Sequence, residues 1–252
     1  MKACVLASGS KGNATYIATT TTHLLIDLGI SCLNVERKLE EINVDPKQIE
    51  GILITHTHVD HINGLRVFIK KFNPIIYLTT SMYEELNQLF EIKKYQLIDE
   101  DITIGDIKVN VIKTSHDVDD SNGYVLSNNQ SSIVYITDTG YLNKKYHNQM
   151  FNKNLYIMES NHDIDMLMNG SYPYAIKQRI LGDKGHLSNK DCAYYLKKLI
   201  GNNTTTIVLA HLSEENNTEQ LAYETVSKKV GSNVDKIIIA KQKERTELIE
   251  IW

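Results

Sequence analysis

An α/β sandwich, two sheets packed face to face with helices outside, is the fold class predicted here, and three observations predict it. Short apolar runs alternate with helix-like patterns from end to end. Strand signals come first and helices interleave with strands later, in two similar halves meeting near residue 130. No Ser/Gly-rich linker or charge block breaks the chain, so residues 1–252 read as one domain. At this length, folding buries roughly three quarters of the extended chain's surface, enough for a substantial core.

The strands are read in order. Residues 5–7, 15–18 and 24–27 are short apolar runs separated by a Gly-containing loop and a Thr-rich turn. Buried runs follow at 51–55, 75–78, 133–137, 155–158, 207–210 and 237–240. Ile107, Val109 and Val111 alternate with polar neighbours, the signature of a half-exposed strand running on to Thr114. Residues 62–71 are helix-like, and Cys192, Ala193, Leu196, Leu199 and Ile200 repeat at helical spacing after Ser188, with Asp191 completing a capping box. Ser81 with Glu84, and Asn217 with Gln220, mark two further helix starts.

Composition narrows the function classes. Lys and Arg number 27 against 31 Asp and Glu, a net charge of −4, which argues against a protein that coats duplex DNA through many phosphate contacts. Cys4, Cys32 and Cys192 are odd in number, widely spaced and without a CxxC pair, so neither a disulfide framework nor a zinc knuckle is expected, and a reducing cytoplasm fits. The apolar stretch of residues 3–7 is too short for a secretory signal, and no apolar run approaches a membrane span.

The densest chemistry is Thr55-His56-Thr57-His58-Val59-Asp60-His61, directly after the apolar run at 51–54. Four potential ligands occupy six positions, and a loop at a strand end can aim His56 and His58 at one cation and Asp60 and His61 at a neighbour. Imidazole with carboxylate suits Zn²⁺, and also Mn²⁺ or Fe. Further candidates stand where other predicted strands empty into loops: His116, Asp138 and His211. The segments Gly185-His186-Leu187-Ser188 and Ala210-His211-Leu212-Ser213 echo one another, each before a predicted helix, a setting that can turn both histidines toward one site.

With these residues in place, the sequence resembles the metallo-β-lactamase superfamily, whose members carry HxHxDH and distant His, Asp and His ligands on an αβ/βα sandwich of two mixed sheets flanked by helices. The resemblance covers essentially the whole chain. It implies that His56, His58 and His116 bind one metal, that Asp60, His61 and His211 bind the other, that Asp138 bridges them, and that Asp27 supports the metal loop. A narrower resemblance rests on residues 7–13 (Ala-Ser-Gly-Ser-Lys-Gly-Asn), 159–163 (Glu-Ser-Asn-His-Asp), 185–189 (Gly-His-Leu-Ser-Asn) and 210–217 (Ala-His-Leu-Ser-Glu-Glu-Asn-Asn). Together these are similar to the YycJ (WalJ) branch, regarded as metal-dependent phosphodiesterases with 5′-to-3′ exonuclease activity. Phage anti-Pycsar enzymes, which destroy cyclic mononucleotides, lie close to that branch. His162 departs from its pattern, where an aromatic Tyr is expected.

The resemblance implies a dinuclear hydrolase in which two divalent ions, zinc first and Mn or Fe as alternatives, hold a shared hydroxide that attacks phosphorus. Asp60 would serve as ligand and proton acceptor, and His186 as general acid for the leaving oxygen. Ser10, Asn13, Asn161, His162 and Ser188 are the expected substrate contacts. The loop holding Ser8, Gly9, Ser10, Gly12 and Asn13 can approach a phosphate with backbone amides. Lys177, Arg179 and Lys184, near Tyr172 and Tyr174, offer contacts to a phosphate and a base. The expected partner is a nucleic-acid end or a cyclic nucleotide, without a membrane and with a homodimer implied by resemblance alone. The leading function is a 5′-to-3′ exonuclease. The alternatives are a cyclic mononucleotide phosphodiesterase and, from another class, a metal-bound scaffold that binds nucleic acid without turnover.

Overall fold

A computed structural model describes residues 1–252, the side chain of residue 233 excepted. In chain order the elements are β1 (Lys2–Ala7), β2 (Ala14–Ala18), β3 (His23–Ile26), α1 (Cys32–Glu40), β4 (Gly51–Leu53), α2 (Val59–Ile62), α3 (Leu65–Phe72), β5 (Ile75–Leu78), α4 (Thr80–Leu89), β6 (Tyr95–Leu97), β7 (Ile102–Ile104), β8 (Ile107–Lys113), β9 (Asn122–Ser127), β10 (Ser132–Ile136), α5 (His147–Met150), β11 (Leu155–Glu159), α6 (Ile164–Asn169), α7 (Tyr174–Leu181), α8 (Asn189–Leu199), β12 (Thr206–Ala210), α9 (Glu219–Val230), β13 (Lys236–Ile239) and β14 (Ile249–Glu250).

Among the described residues the strands form two seven-stranded sheets, β14-β1-β2-β3-β4-β5-β6 and β13-β12-β11-β10-β9-β8-β7. Each sheet is mixed in the same way. In the first, β1 to β3 pair antiparallel and β3 to β6 parallel. In the second, β7 to β10 pair antiparallel and β10 to β13 parallel. The passage between sheets lies between Leu97 and Ile102, not near residue 130. The half-exposed strand β8 opens the second sheet with β7 and β9, and β14 returns to the first by pairing with β1.

Why this sequence folds so follows from which faces are apolar. β2, β11 and β12 are buried along their whole lengths, as strands covered on both faces must be. One face of each sheet meets the other sheet through Val5, Ile17, Leu24, Tyr124, Tyr135 and Val208. The outer face of the first sheet packs under helices through Leu25, Ile52, Val35, Leu39, Phe68 and Leu86. The outer face of the second does so through Tyr156, Leu209, Cys192, Leu196, Ala222 and Val226. Each fully buried Leu, Ile or Phe contributes roughly 1.5–3 kcal/mol relative to exposure.

Local rules and tertiary contacts disagree at three helices. The helix-like run at 62–71 is split into α2 and α3, because the loop after β3 hydrogen-bonds into the gap: Leu28 N donates to His61 O (2.8 Å) and Gly64 N to Leu28 O (2.9 Å). α4 is capped by Thr79, whose hydroxyl accepts from Met82 N, two residues before Ser81. α9 is capped by Thr218, and Asn217 instead donates its amide to the carbonyls of Ser160 (2.9 Å) and Asn161 (3.0 Å). The Ser188–Asp191 capping box stands as expected at the start of α8.

Candidate metal centre

The centre is assembled where strands of both sheets end. Asp27 follows β3, the His56–His61 loop follows β4, His116 follows β8, Asp138 follows β10, Glu159 is the last residue of β11, and His211 follows β12. Asp27, Asp138 and His211 have φ of 59°, 53° and 56°. A non-glycine residue in this left-handed region costs on the order of 1–3 kcal/mol, and such residues persist where surrounding structure fixes them. Here each turn redirects a polar side chain from the strand end into the centre.

The metal loop is clamped from below. Asp60 O accepts from Asn13 N (2.8 Å), and Gly29 N donates to Asn13 O (2.7 Å). Gly29 must stay glycine, since a Cβ there would lie 1.6 Å from the Asp60 carbonyl oxygen. Asp27 is fully buried and accepts from Thr55 N and Thr55 Oγ1 (both 2.8 Å) and from His61 Nδ1 (2.7 Å). That bond turns the other ring nitrogen of His61 toward the centre, the usual means by which an outer partner fixes a ligand's tautomer.

All seven predicted ligands converge. His56 Nε2 and His58 Nδ1 are 3.1 Å apart, and His56, His58 and His116 can offer one atom each to a common cation. Asp60, His61 and His211 form a second such group, with His61 Nε2 and His211 Nε2 3.7 and 3.8 Å from Asp60 Oδ2. Asp138 stands between the groups. Its Oδ2 is 3.1 Å from His61 Nε2, and its Oδ1 is 3.3 Å from His211 Nε2 and 4.0 Å from His116 Nε2. His116 Nδ1 faces the Gly185 carbonyl (3.3 Å), which leaves Nε2 inward.

Charges in the centre differ between its two ligand groups. Burial works against a proton on His61, but the carboxylates of Asp27 and Asp138 overcome it and hold its pKa at about 10. Burial likewise opposes charge on His211, and Asp138, Asp60 and Glu159 raise its pKa well above the ordinary value. Asp138 is held well below the usual carboxylate range despite its burial, through His211 and His61. His56 and His116 go the other way, lowered chiefly by burial, and so are neutral donors. His211 Nε2 and Asp138 Oδ2 are buried without a properly directed hydrogen-bond partner. Unpartnered polar atoms of this kind cost free energy in a folded protein, and a donor set of imidazoles and carboxylates fits one or more divalent ions.

Glu159 is a residue of the centre that sequence reasoning did not single out. It is fully buried, and its Oε1 lies 2.7 Å from His186 Nδ1 and 3.2 Å from His211 Nδ1. Its Oε2 accepts from Thr139 N and Leu187 N (both 3.1 Å). Burial opposes its charge, but the two imidazoles bring its pKa down to about 2. The His186 and His211 rings stack with centroids 5.4 Å apart, so the repeated His-Leu-Ser segments do face one site. The signal for Glu159 was its place at the end of the apolar run 155–158, the same signal that marked Asp138 and His211.

The expected substrate contacts are placed unequally. Ser10 is exposed in the loop after β1. Asn13 is buried, accepts from Gly9 N (2.8 Å) and faces His61 Nε2 (3.0 Å). Gly12 N donates to Gly9 O (2.9 Å), so the amides of Gly9 and Gly12 are committed within the loop rather than offered to a phosphate. Asn161 donates to His211 O (3.0 Å). His162 is buried with neither ring nitrogen partnered, and burial brings its pKa down to about 4. The Ser188 hydroxyl is occupied as the cap of α8.

The signature of the Beta-lactamase superfamily domain matches residues 22–212, which include all seven predicted ligands of the centre. The chain belongs to the metallo-β-lactamase superfamily. Within it, the chain is 38% identical over 232 residues to the exodeoxyribonuclease WalJ of Streptococcus pneumoniae, covering 89% of this chain and 86% of that protein. It is 38% identical over 228 residues to the exodeoxyribonuclease YycJ of Bacillus anthracis, covering 88% and 86%. A shorter match, 49% over 47 residues, joins 19% of the chain to 17% of the anti-Pycsar protein Apyc1 of Bacillus phage BSP38. Among solved structures, the metallo-beta-lactamase fold protein YhfI of Bacillus subtilis superimposes with a TM-score of 0.75 at 17% identity, over 98% of this chain and 99% of that one. The superfamily fold is the two-sheet sandwich described above, and divalent metal binding fits the clusters found here.

Proposed function

We infer that this protein is a metal-dependent exodeoxyribonuclease that hydrolyses phosphodiester bonds from a nucleic-acid end, with 5′-to-3′ polarity. The observation that carries this reading is the convergence of His56, His58, Asp60, His61, His116, Asp138 and His211 in a chain 38% identical to two exodeoxyribonucleases. We propose that two divalent ions, zinc first with manganese or iron as alternatives, are held by these residues, with Asp138 between them. Bound there, the ions would acidify a water and polarise a phosphoryl oxygen.

The protein's own groups do the rest. Asp27, Thr55 and Glu159 orient the ligand rings, so that the centre needs no rearrangement when substrate arrives. Asp60 accepts a proton at the second ligand group. His186, held at Nδ1 by Glu159, presents Nε2 without a partner among the described residues, and Glu159 and Asp138 raise its pKa against the pull of burial. A histidine charged in this way can hand a proton to the departing oxygen. Ser10 is proposed as a direct phosphate contact, and Asn13, Asn161, His162 and Ser188 as residues acting from beneath it. No helix among the described residues is long and apolar enough to cross a membrane. The proposal includes a cytoplasmic setting, one domain over residues 1–252 and a homodimer, whose absence in light scattering would remove that last part.

His186→Ala is expected to slow turnover by about 10²–10⁴-fold while metal content, measured by mass spectrometry of the purified protein, stays unchanged. Loss of metal in that variant would make His186 a ligand instead. The function itself is tested with metal-loaded protein against linear and circular single-stranded DNA, RNA, bis-p-nitrophenyl phosphate and cyclic mononucleotides. Degradation of linear but not circular DNA is the expected result. Hydrolysis of cyclic mononucleotides alone would favour the small-substrate alternative, and DNA binding without hydrolysis would favour the scaffold.

A further inference from the structure

Beside the metal centre lies a second feature, a cavity of about 160 Å³ lined by His116, Asp117, Ile176, Arg179, Lys184 and His186 among others. One wall is therefore the centre itself, and the other is α7 with the turn that follows it. α7 buries none of its own residues, so core packing does not explain its position. Of the three cations in this segment, Lys177 is consumed, donating to the carbonyls of Met168 and Gly170 (both 2.8 Å). Arg179 and Lys184 face the cavity, and Lys184 has no ion pair among the described residues.

Arg179 is held at the edge of the centre by Asp117. Its Nε donates to Asp117 Oδ2 (2.6 Å), and its Nη2 contacts the same oxygen. The other oxygen, Asp117 Oδ1, is buried without a hydrogen-bond partner and lies 3.3 Å from His116 Nε2 and 3.7 Å from His58 Nε2. The two N–H groups of a guanidinium edge are thus aimed together at one acceptor, the arrangement that also grips a phosphate. The arginine side chain is 61% exposed, so an incoming anion can reach it.

We propose that this cavity is a subsite for the terminal 5′-phosphate of the nucleic acid, with Arg179 and Lys184 as its recognising cations. The inference deepens the exonuclease reading and rests on it. A terminal monoester carries about −1.5 to −2 charge at neutral pH, more than an internal diester, and two neighbouring cations favour the more charged group. Arg179 exchanges the Asp117 carboxylate for a phosphate oxygen without changing its fork. The subsite makes a 5′-phosphorylated end a better substrate than a 5′-hydroxyl end.

The test compares kcat/KM on single strands of one sequence bearing a 5′-phosphate or a 5′-hydroxyl. Wild-type protein is expected to prefer the phosphate by about 10- to 100-fold, the scale of one or two charge-assisted hydrogen bonds. Arg179→Ala and Lys184→Ala each shrink that preference, mainly through KM, with metal content unchanged, and Arg179→Lys restores part of it. A wild-type enzyme that degrades both strands equally, or a preference that survives both alanine variants, overturns the subsite alone. Metal-loaded wild type inactive on both strands overturns the exonuclease reading beneath it.

Discussion

Chelation of the purified protein is expected to abolish DNA hydrolysis and to lower its melting temperature on the order of 10 °C. The activity loss follows because none of the groups in the centre is an activated protein nucleophile: the buried carboxylates and imidazoles are arranged around one another, not around a Ser or Cys, and Cys192 lies on the buried face of α8. The stability loss follows from mass action. A ligand at a hundredfold excess over its Kd stabilises the native state by about 2.7 kcal/mol per site, and a chain of this size shifts by about 2–4 °C per kcal/mol. Readdition of metal should restore both. Because Asp27 and Asp138 raise the pKa of His61 to about 10, and His211 is raised in the same direction, an ion at the Asp60, His61 and His211 group must expel protons to bind. Reconstitution is therefore expected to weaken as pH falls from 8 to 6 and to release protons, measurable by calorimetry in buffers of different ionisation heat. Full activity and unchanged melting after exhaustive chelation would contradict the metal reading.

Asp138→Ala should reduce turnover by at least about 10³-fold, the scale of losing a central electrostatic element, and should lower metal stoichiometry as well. Among the described residues, Asp138 is the single carboxylate that lies within reach of His61, His116 and His211 at once. Removing it deprives those rings, two of them carrying charge that Asp138 helps to stabilise, of the carboxylate they share. Asp138→Asn is the informative companion, since it keeps the shape and discards the charge. Glu159→Gln, by contrast, is expected to cost only about 10- to 100-fold in metal affinity, as outer partners of ligands do. Metal content and rate measured side by side separate these cases, and wild-type turnover in Asp138→Ala would remove it from the centre.

Much of the centre was legible because its chemistry is dense and its positions are stereotyped. Four potential ligands in six residues after a buried strand are too dense for chance polarity, and His116, Asp138 and His211 each follow a strand end. What sequence hid was what tertiary contacts decide. Glu159 ends a wholly buried strand, and only the fold shows that its carboxylate meets His186 and His211. Asn217 satisfies a local helix-start rule, yet the carbonyls of Ser160 and Asn161 claim its side chain. Residues 62–71 have helical periodicity, but Leu28 hydrogen-bonds to His61 and Gly64 and breaks the helix near the start of that run. The two similar halves of the sequence pattern meet near residue 130, whereas the passage between sheets falls between Leu97 and Ile102, because the short edge strands β6 and β7 carry weak patterns on either side of it.

The arrangement of paired cations is tested most directly by anomalous X-ray diffraction from crystals of the zinc-loaded protein. Two peaks are expected about 3.5–4 Å apart, one among His56, His58 and His116, the other among Asp60, His61 and His211, with Asp138 touching both. Absence of peaks at these side chains under saturating zinc, or zinc bound only elsewhere on the surface, would contradict the account.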